Sequence, residues 1–303
     1  MTLSKLIIII IILININYIY WTYVDYWSLI LKSTLKKDFT KWILCDKYVA
    51  KEYAKLNGFK VPKTFQLTKY PNNIKFLNTC VIKPTDLCDS EGVYLIKNNI
   101  NLKTNKKVNK DKIKKKFSKI RSKIGNEHYM HDKMYNGLVP FTGYIVEELL
   151  LDDNGNIPED YKCYVFGGKL HYIAVTFDRI TINNKQQFKS VWFDSEWNPI
   201  YFSMIQKGYK YKKLKKPKNF EKLKNLVENM SKILKRHCRI DLYIINNDIY
   251  LGEYTFFCGA FLHTIYCNLQ LGLTWLKNPD DIEHTDKRIN SLIPEFYNNP
   301  NDY

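Results

Sequence analysis

Paired C-x-x-C spacing is absent from the chain, and its seven cysteines are odd in number. That excludes a cysteine-rich structural zinc site and a disulfide framework, and leaves reduced thiols in the cytosol as the default. No segment of about twenty to fifty residues repeats, so solenoids and propellers are excluded as well. A D-x-D acid pair, common in glycosyltransferases that handle a sugar nucleotide, is missing. Tyrosine, tryptophan and lysine are plentiful, yet no recognised RNA-binding signature accompanies them, so nucleic acid is not an expected partner. Cys258, beside Gly259, has no His/Asp partner to make it a nucleophile and reads as packing. His128 and His131 stand at i, i+3 with no third metal ligand in view.

What is present is a folded composition, 45% hydrophobic and 15% aromatic, in 303 residues carrying a net charge of +17. The charge is concentrated. Residues 103–123 hold eleven Lys/Arg against Asp111 alone, and residues 207–218 add seven lysines. Such clusters suit polyanions. Ile113, Phe117, Ile120 and Ile124 fall at helical spacing within the first cluster, which therefore reads as an amphipathic helix with a solvated basic face.

The N-terminus, "LIIIIIILININYIYW", runs from Leu6 to Trp21 with Asn15 and Asn17 as interruptions. About 20 apolar residues are needed to span a bilayer, and counting on to Leu31 supplies them, with Asp25 marking where the interface begins. No A-x-A-like cleavage site follows, so a retained anchor helix is expected rather than a signal peptide. Lys5 precedes it, and Lys32, Lys36, Lys37 and Lys41 follow. The positive-inside bias puts the body on the cytosolic side.

The body reads as α+β. A helix through Tyr48, Val49, Glu52, Tyr53 and Leu56 stops at Asn57-Gly58. Two β-rich runs in "FLNTCVIKPTDLCDSEGVYLI" are joined by a polar loop, and a Gly167-Gly168 hairpin links two further strands. Leu223, Leu226, Val227, Met230, Ile233 and Leu234 mark an amphipathic helix over Phe220–Cys238. It feeds into "RIDLYIINNDIYLGEY", residues 239–254, a hairpin that plants Asp241 and Glu253 among hydrophobes. With a two-residue Asn246-Asn247 turn, Ile245 pairs with Asp248 and the acids face opposite ways. With a three-residue loop, Ile245 pairs with Ile249, Asp241 with Glu253 and Arg239 with Thr255. The acids then share one face, where a divalent cation or Arg239 must offset their repulsion. A surface hairpin with solvated acids is the alternative.

Six segments occur in order: Asp46-Lys47 with "DKYVAKEY", then "VIKP" with Lys83, then a Ser/Gly loop, then "YIVEELL", then "DYKCYVFGGK", then "RIDLY…LGEYTF". Together with "FDRI" and "WFDSEWNPI", they resemble the ATP-grasp superfamily and, within it, the TupA-like family associated with cell-surface polysaccharides. The resemblance covers roughly residues 40–262. It implies an α+β ATP-grasp fold, two α+β subdomains clasping ATP, preceded here by the hydrophobic anchor helix. On that template residues 1–33 form the anchor and juxtamembrane segment, 34–80 a lead segment, 81–146 the small subdomain with the basic helix, 147–290 the large subdomain with the metal site, and 291–303 a tail.

The resemblance also implies roles, and elementary chemistry agrees with them. ATP brings about four negative charges, and Lys47 and Lys83 match its phosphate-binding lysines. Ser90, Glu91 and Gly92 match the small-residue loop whose backbone lies along phosphate oxygens. Glu147, Glu148 and Leu149 match the adenine hinge, and Asp160 the ribose or ligand acid. Lys162, two residues on and on the same face, points at the γ-phosphate. Asp241 and Glu253 match the acids that hold one or two Mg²⁺ ions, and Arg239 stands beside them to stabilise the transferred phosphoryl group. Thr255 replaces the Asn usual two residues beyond the metal-binding Glu, which puts the second metal position in question. Asp178 and Arg179 match positions near the acceptor or γ-phosphate. The implied activity is ATP-dependent carboxylate–amine ligation through an acyl phosphate, with a small-molecule or glycan acceptor. The rivals are a glycosyltransferase-type biosynthesis protein and a non-catalytic module that binds polyanions through its basic clusters.

Overall fold

The computed structural model describes residues 3–35, 39–87, 91–119, 143–182, 185–201, 204–205, 214–256, 263–281, 283–284 and 286–295. His128, His131, Ser90, Cys258, Ile120 and Ile124 lie outside them, as do the side chains of Asp178 and Arg179.

The apolar N-terminus does not run as one anchor helix to Leu31. Helix α1 covers Leu3–Ile19, a π-helical turn covers Tyr20–Val24, and Asp25 redirects the chain with φ −60° and ψ 124°. Asp25 is fully buried, and its carboxylate accepts from the Ser28 N–H at 2.8 Å, capping helix α2 (Tyr26–Leu35). Tyr26 and Ile30 of α2 enter the core of the body. Among the described residues no helix is long and apolar enough to cross a membrane. The physical reason is the acid itself: a capping carboxylate ends one helix and starts another pointing elsewhere.

Helices α3 (Phe39–Cys45) and α4 (Lys47–Leu56) follow. Asp46 caps α4, accepting from the N–H groups of Tyr48 and Val49 at 2.9 Å each, and Val49, Ala50, Tyr53 and Ala54 form its buried stripe. The first sheet is antiparallel, with β1 (Thr64–Thr68), β6 (Tyr144–Glu147), β2 (Cys80–Pro84), β3 (Tyr94–Lys97), β4 (Ile100–Asn101) and β5 (Lys106–Lys107) in that order. Helix α5, described over residues 110–119, lays Ile113 and Phe117 on that sheet against Ile82, Ile96, Tyr144 and Val146. Its lysines stay on the outer face, as the spacing predicts.

The second sheet is also antiparallel and carries β11 (Asp248–Thr255), β10 (Cys238–Ile245), β7 (Asp160–Phe166), β8 (Lys169–Ile182) and β9 (Lys185–Asp194) in that order. One face packs Cys163, Val165, Ile173, Val175, Ile240, Leu242 and Leu251 against α4 and helix α6 (Phe220–Leu234). Toward the far end of the other face, Tyr164, Ala174 and Trp192 are covered by α2 and helix α7 (Ile265–Lys277). The rest of that face carries the polar residues treated next. Cys45, Cys80, Cys163, Cys238 and Cys267 are free thiols.

Candidate active site

The hairpin that carries the acids combines both alternatives read from the sequence. Its turn has two residues, with Ile245 opposite Asp248 and Asn246 at φ 53°, so the three-residue loop is corrected. Asp241 nevertheless pairs with Glu253 and Arg239 with Thr255, because the register shifts between Leu242 and Asp241. Gly252 is the extra residue. A classic bulge of this kind returns the following side chains to the opposite face. Without it Glu253 would share a face with Leu242.

Around Asp241 the face is dense with charge. Arg239 grips Asp241 with two nitrogens, Nε to Oδ1 at 2.6 Å and Nη2 to Oδ2 at 2.8 Å. Lys162 Nζ donates to Asp241 Oδ2 at 2.5 Å and stands 2.8 Å from Asp160 Oδ2. Burial alone would raise the Asp241 carboxyl, but Arg239 and Lys162 bring it below its ordinary value. Thr255 Oγ1 lies 3.2 Å from Arg239 Nη2 and 3.4 Å from Glu253 Oε1. Arg239 Nη2 is 3.7 Å from Glu253. The carboxylates and the hydroxyl are all hard oxygen donors, the set that suits Mg²⁺ when phosphate oxygens and waters complete the shell. Among the described residues no group of three or more His, Cys, Asp or Glu could hold a metal by itself.

The phosphate-side lysines come from elsewhere in the chain and converge here. Lys47 opens α4, and its N–H donates to Thr85 O at 2.8 Å, which pins the helix start to the end of β2. Its ammonium reaches the carbonyl of Leu87 and stands 3.8 Å from Glu253 Oε2. Lys83, on β2, holds Glu147 Oε1 at 2.6 Å. Glu147 Oε2 is held by Lys51, a residue the sequence reading did not single out. Its signal was there: Lys51 lies four positions after Lys47, on the same side of α4. Burial, opposed by the two lysines, leaves the Glu147 carboxyl at about 2. Burial also brings Lys51 down to about 7, since two ammonium groups share one carboxylate.

The remaining expectations fall as follows. Gly92 is buried beside Pro84, at the end of the strand that carries Lys83. Glu148 is exposed and bonds with its backbone and side chain to Lys63, at 2.9 and 3.1 Å, while Leu149 is half-buried. Asp160 opens β7 and is buried. Glu147 is the one hinge residue whose side chain turns toward the lysines, through its pairing in β6 between β1 and β2.

Two α+β halves that bring lysines from one side toward paired carboxylates on the other define an ATP-grasp enzyme, an ATP-dependent ligase by class. The chain belongs to the TupA-like ATP-grasp family, whose model matches residues 28–268. No curated protein matches. Among solved structures, D-alanine–D-alanine ligase from Bacillus anthracis in complex with ATP is 15% identical, with 78% of this chain and 67% of that chain covered and a TM-score of 0.42. D-Alanine–D-alanine ligase from Helicobacter pylori is 18% identical, covering 77% and 61%, with a TM-score of 0.36. An L-amino acid ligase from Bacillus licheniformis is 13% identical, covering 80% and 52%, with a TM-score of 0.43. The chain thus spans about two thirds or less of the length of these ligases.

Proposed function

We propose that this protein uses Mg²⁺ and ATP to join a carboxylate to an amine or similar nucleophile. A substrate carboxylate oxygen attacks the γ-phosphorus as the bond to the β-phosphate oxygen breaks; the nucleophile then attacks the acyl carbon, and phosphate leaves. The observation that supports this most is the opposition of Asp241 and Glu253 on one face, with Lys47 3.8 Å from Glu253 and Arg239 and Lys162 on Asp241.

Lys47 and Lys83 neutralise phosphate oxygens, and Lys51 keeps Glu147 occupied so that Lys83 can exchange partners. Ser90 and Gly92 belong to the phosphate-binding loop in this reading. Glu147, Glu148 and Leu149 border the adenine and Asp160 the ribose. Asp241 and Glu253 hold Mg²⁺, with Thr255 as the additional oxygen for a second ion; bound there, the metal offsets charge on the transferring phosphoryl group. Arg239, Lys162 and Arg179 stabilise that group in transit. Catalysis then rests on positioning and preorganised charge.

The setting within this reading is cell-surface glycan assembly, with the body at the cytosolic side and α1 in contact with the membrane. The segment boundaries at residues 33, 80, 146 and 290 belong to the same reading. The test is ADP release by the full chain in detergent, offered uronic acids, amino acids and amino sugars as acceptors. The full chain is required because Tyr26 and Ile30 are part of the core. Acceptor-dependent ADP release supports the reading; a chain that binds no ATP in the presence of Mg²⁺ sinks it.

A further inference from the structure

Helix α7 packs Cys267, Leu271 and Trp275 into the core and turns a second apolar stripe outward. Ile265 is 69% exposed, Leu273 38% and Leu276 48%, with Tyr266 exposed and Leu269 half-buried beside them. Positions 265, 269, 273 and 276 fall on one side of a helix. No Asp or Glu occurs in α7, and its last turn ends in Lys277. An outward apolar stripe on an otherwise well-packed helix marks an interaction surface.

The stripe is continuous with the base of α1. Tyr20 Oη donates to the Ile265 carbonyl at 3.2 Å. At Gly272 the helix touches the chain just after α1 so closely that an added Cβ would run into the Val24 carbonyl oxygen. From Leu6 to Ile14, and at Ile16, Tyr18 and Ile19, α1 itself is exposed on every side. A helix docked on a protein partner needs an apolar stripe, whereas one apolar all round needs an apolar medium. Tyr18 and Tyr23, both exposed, lie near the foot of α1, and Lys32 sits 4.8 Å above the Tyr23 ring. Tyrosines backed by lysines are the side chains that settle at the headgroup level of a bilayer.

We infer that the outward stripe of α7, Ile265, Leu269, Leu273 and Leu276, is a lipid-docking surface that lies on the bilayer beside the inserted α1. At a rise of about 1.5 Å per residue α1 reaches roughly 25 Å, short of a full hydrocarbon core. The stripe supplies the additional apolar contact of a helix lying in the interface, with its face sunk about 5–10 Å. Lys32 and Lys277 meet anionic headgroups. Because α7 covers the same sheet face that carries Asp241, this contact fixes how the active site is turned toward the membrane. The inference rests on the membrane contact of α1 proposed above and extends it to α7.

The test is co-sedimentation of the full chain with vesicles of phosphatidylcholine and phosphatidylglycerol. Three proteins are compared: the unaltered chain, Ile265→Glu/Leu273→Glu/Leu276→Glu on the stripe, and Ile10→Glu/Leu13→Glu on α1. Because the stripe residues face outward, their replacement should leave the thermal midpoint and ATP binding unchanged. We expect the stripe variant to bind vesicles at least tenfold more weakly. Equal binding by the stripe variant, with loss in the α1 variant, overturns the inference and leaves the α1 contact standing. No vesicle binding by the unaltered chain overturns both. Concentration-dependent dimers that the stripe variant abolishes, without any change in vesicle binding, assign the stripe to a second copy of the chain instead.

Discussion

Asp241 and Glu253 face each other across β10 and β11 although the turn between those strands is two residues long, because Gly252 is an extra residue in β11. A Cβ at Gly252 would lie 3.0 Å from the Tyr243 ring and 3.1 Å from the Asp241 carbonyl oxygen. Gly252→Val should therefore cost about 1–3 kcal/mol through forced rearrangement. The bulge would shift, and Mg²⁺-dependent ADP release should fall more than stability does. Urea unfolding beside an Mg²⁺ titration of activity measures both. Full activity at high Mg²⁺ in the variant would mean that the bulge does not set the metal site.

Glu147 is shared by two lysines, the buried Lys51 and the half-buried Lys83. Removing the acid leaves both ammonium groups without their common partner; removing Lys51 leaves a complete pair. Glu147→Gln should cost about 3–5 kcal/mol, and Lys51→Met clearly less. The Lys51 variant should still bind ATP more weakly, because Lys83 then becomes the sole partner of Glu147 and is harder to release. Chemical unfolding and nucleotide titration of the two variants check the order. Equal destabilisation would show that the three groups do not act as a shared bridge.

Acid should unfold the protein in a defined window. His237 is buried, its Nδ1 stands 3.1 Å from Asp280 Oδ2, and Lys41 Nζ holds the same oxygen at 2.8 Å. Burial and Lys41 push the imidazole down to about 4. Between its ordinary value near 6.5 and about 4, the unfolded chain takes up a proton that the native chain refuses. Stability therefore falls as pH drops through that interval, by roughly 3 kcal/mol from this histidine. His263, whose imidazole burial also pushes down to about 4, adds to the same loss. His237→Asn should flatten the pH dependence of the urea midpoint between 6.5 and 4. An unchanged slope would place the proton uptake elsewhere.

The order of elements and the inward pairing of the two acids were legible in the sequence because both follow from side-chain alternation and ordered motifs. The turn length was not. In an unbroken ladder only a three-residue turn pairs Asp241 with Glu253, whereas the chain reaches the same pairing through Gly252. Lys47, Lys83 and Lys162 stand out in the sequence because motifs surround them. Lys51 does not stand out in the sequence, because in a chain with 47 Lys and Arg a single lysine carries little information. Burial distinguishes it, and burial is a tertiary property. The run to Leu31 misled for a related reason: Tyr26 and Ile30 are as apolar as lipid-facing residues, and what separates them is the capping role of Asp25.

Charge also separates a ligase from a polyanion-binding module. Lys83 is half-buried on the sheet, with its ammonium held by the buried Glu147, whereas Lys115 and Lys116 stand exposed on α5 beside the half-buried Lys114. Lys83→Ala should weaken ATP binding roughly tenfold to a hundredfold, the loss expected for one charge-assisted contact. Glu253→Gln should leave binding closer to normal and lower turnover by roughly a hundredfold or more, since it disturbs the ion that offsets charge in transit. Replacing Lys114, Lys115 and Lys116 together with Gln keeps the stems and removes three charges. ATP binding should then change little, while attraction to a polyanion such as heparin weakens, an effect that itself fades with salt. Calorimetric ATP titrations and ADP-release rates, run beside heparin retention at two salt concentrations, distinguish the two. ATP binding indifferent to Lys83, with every activity lost alongside the α5 lysines, would favour the polyanion-binding module.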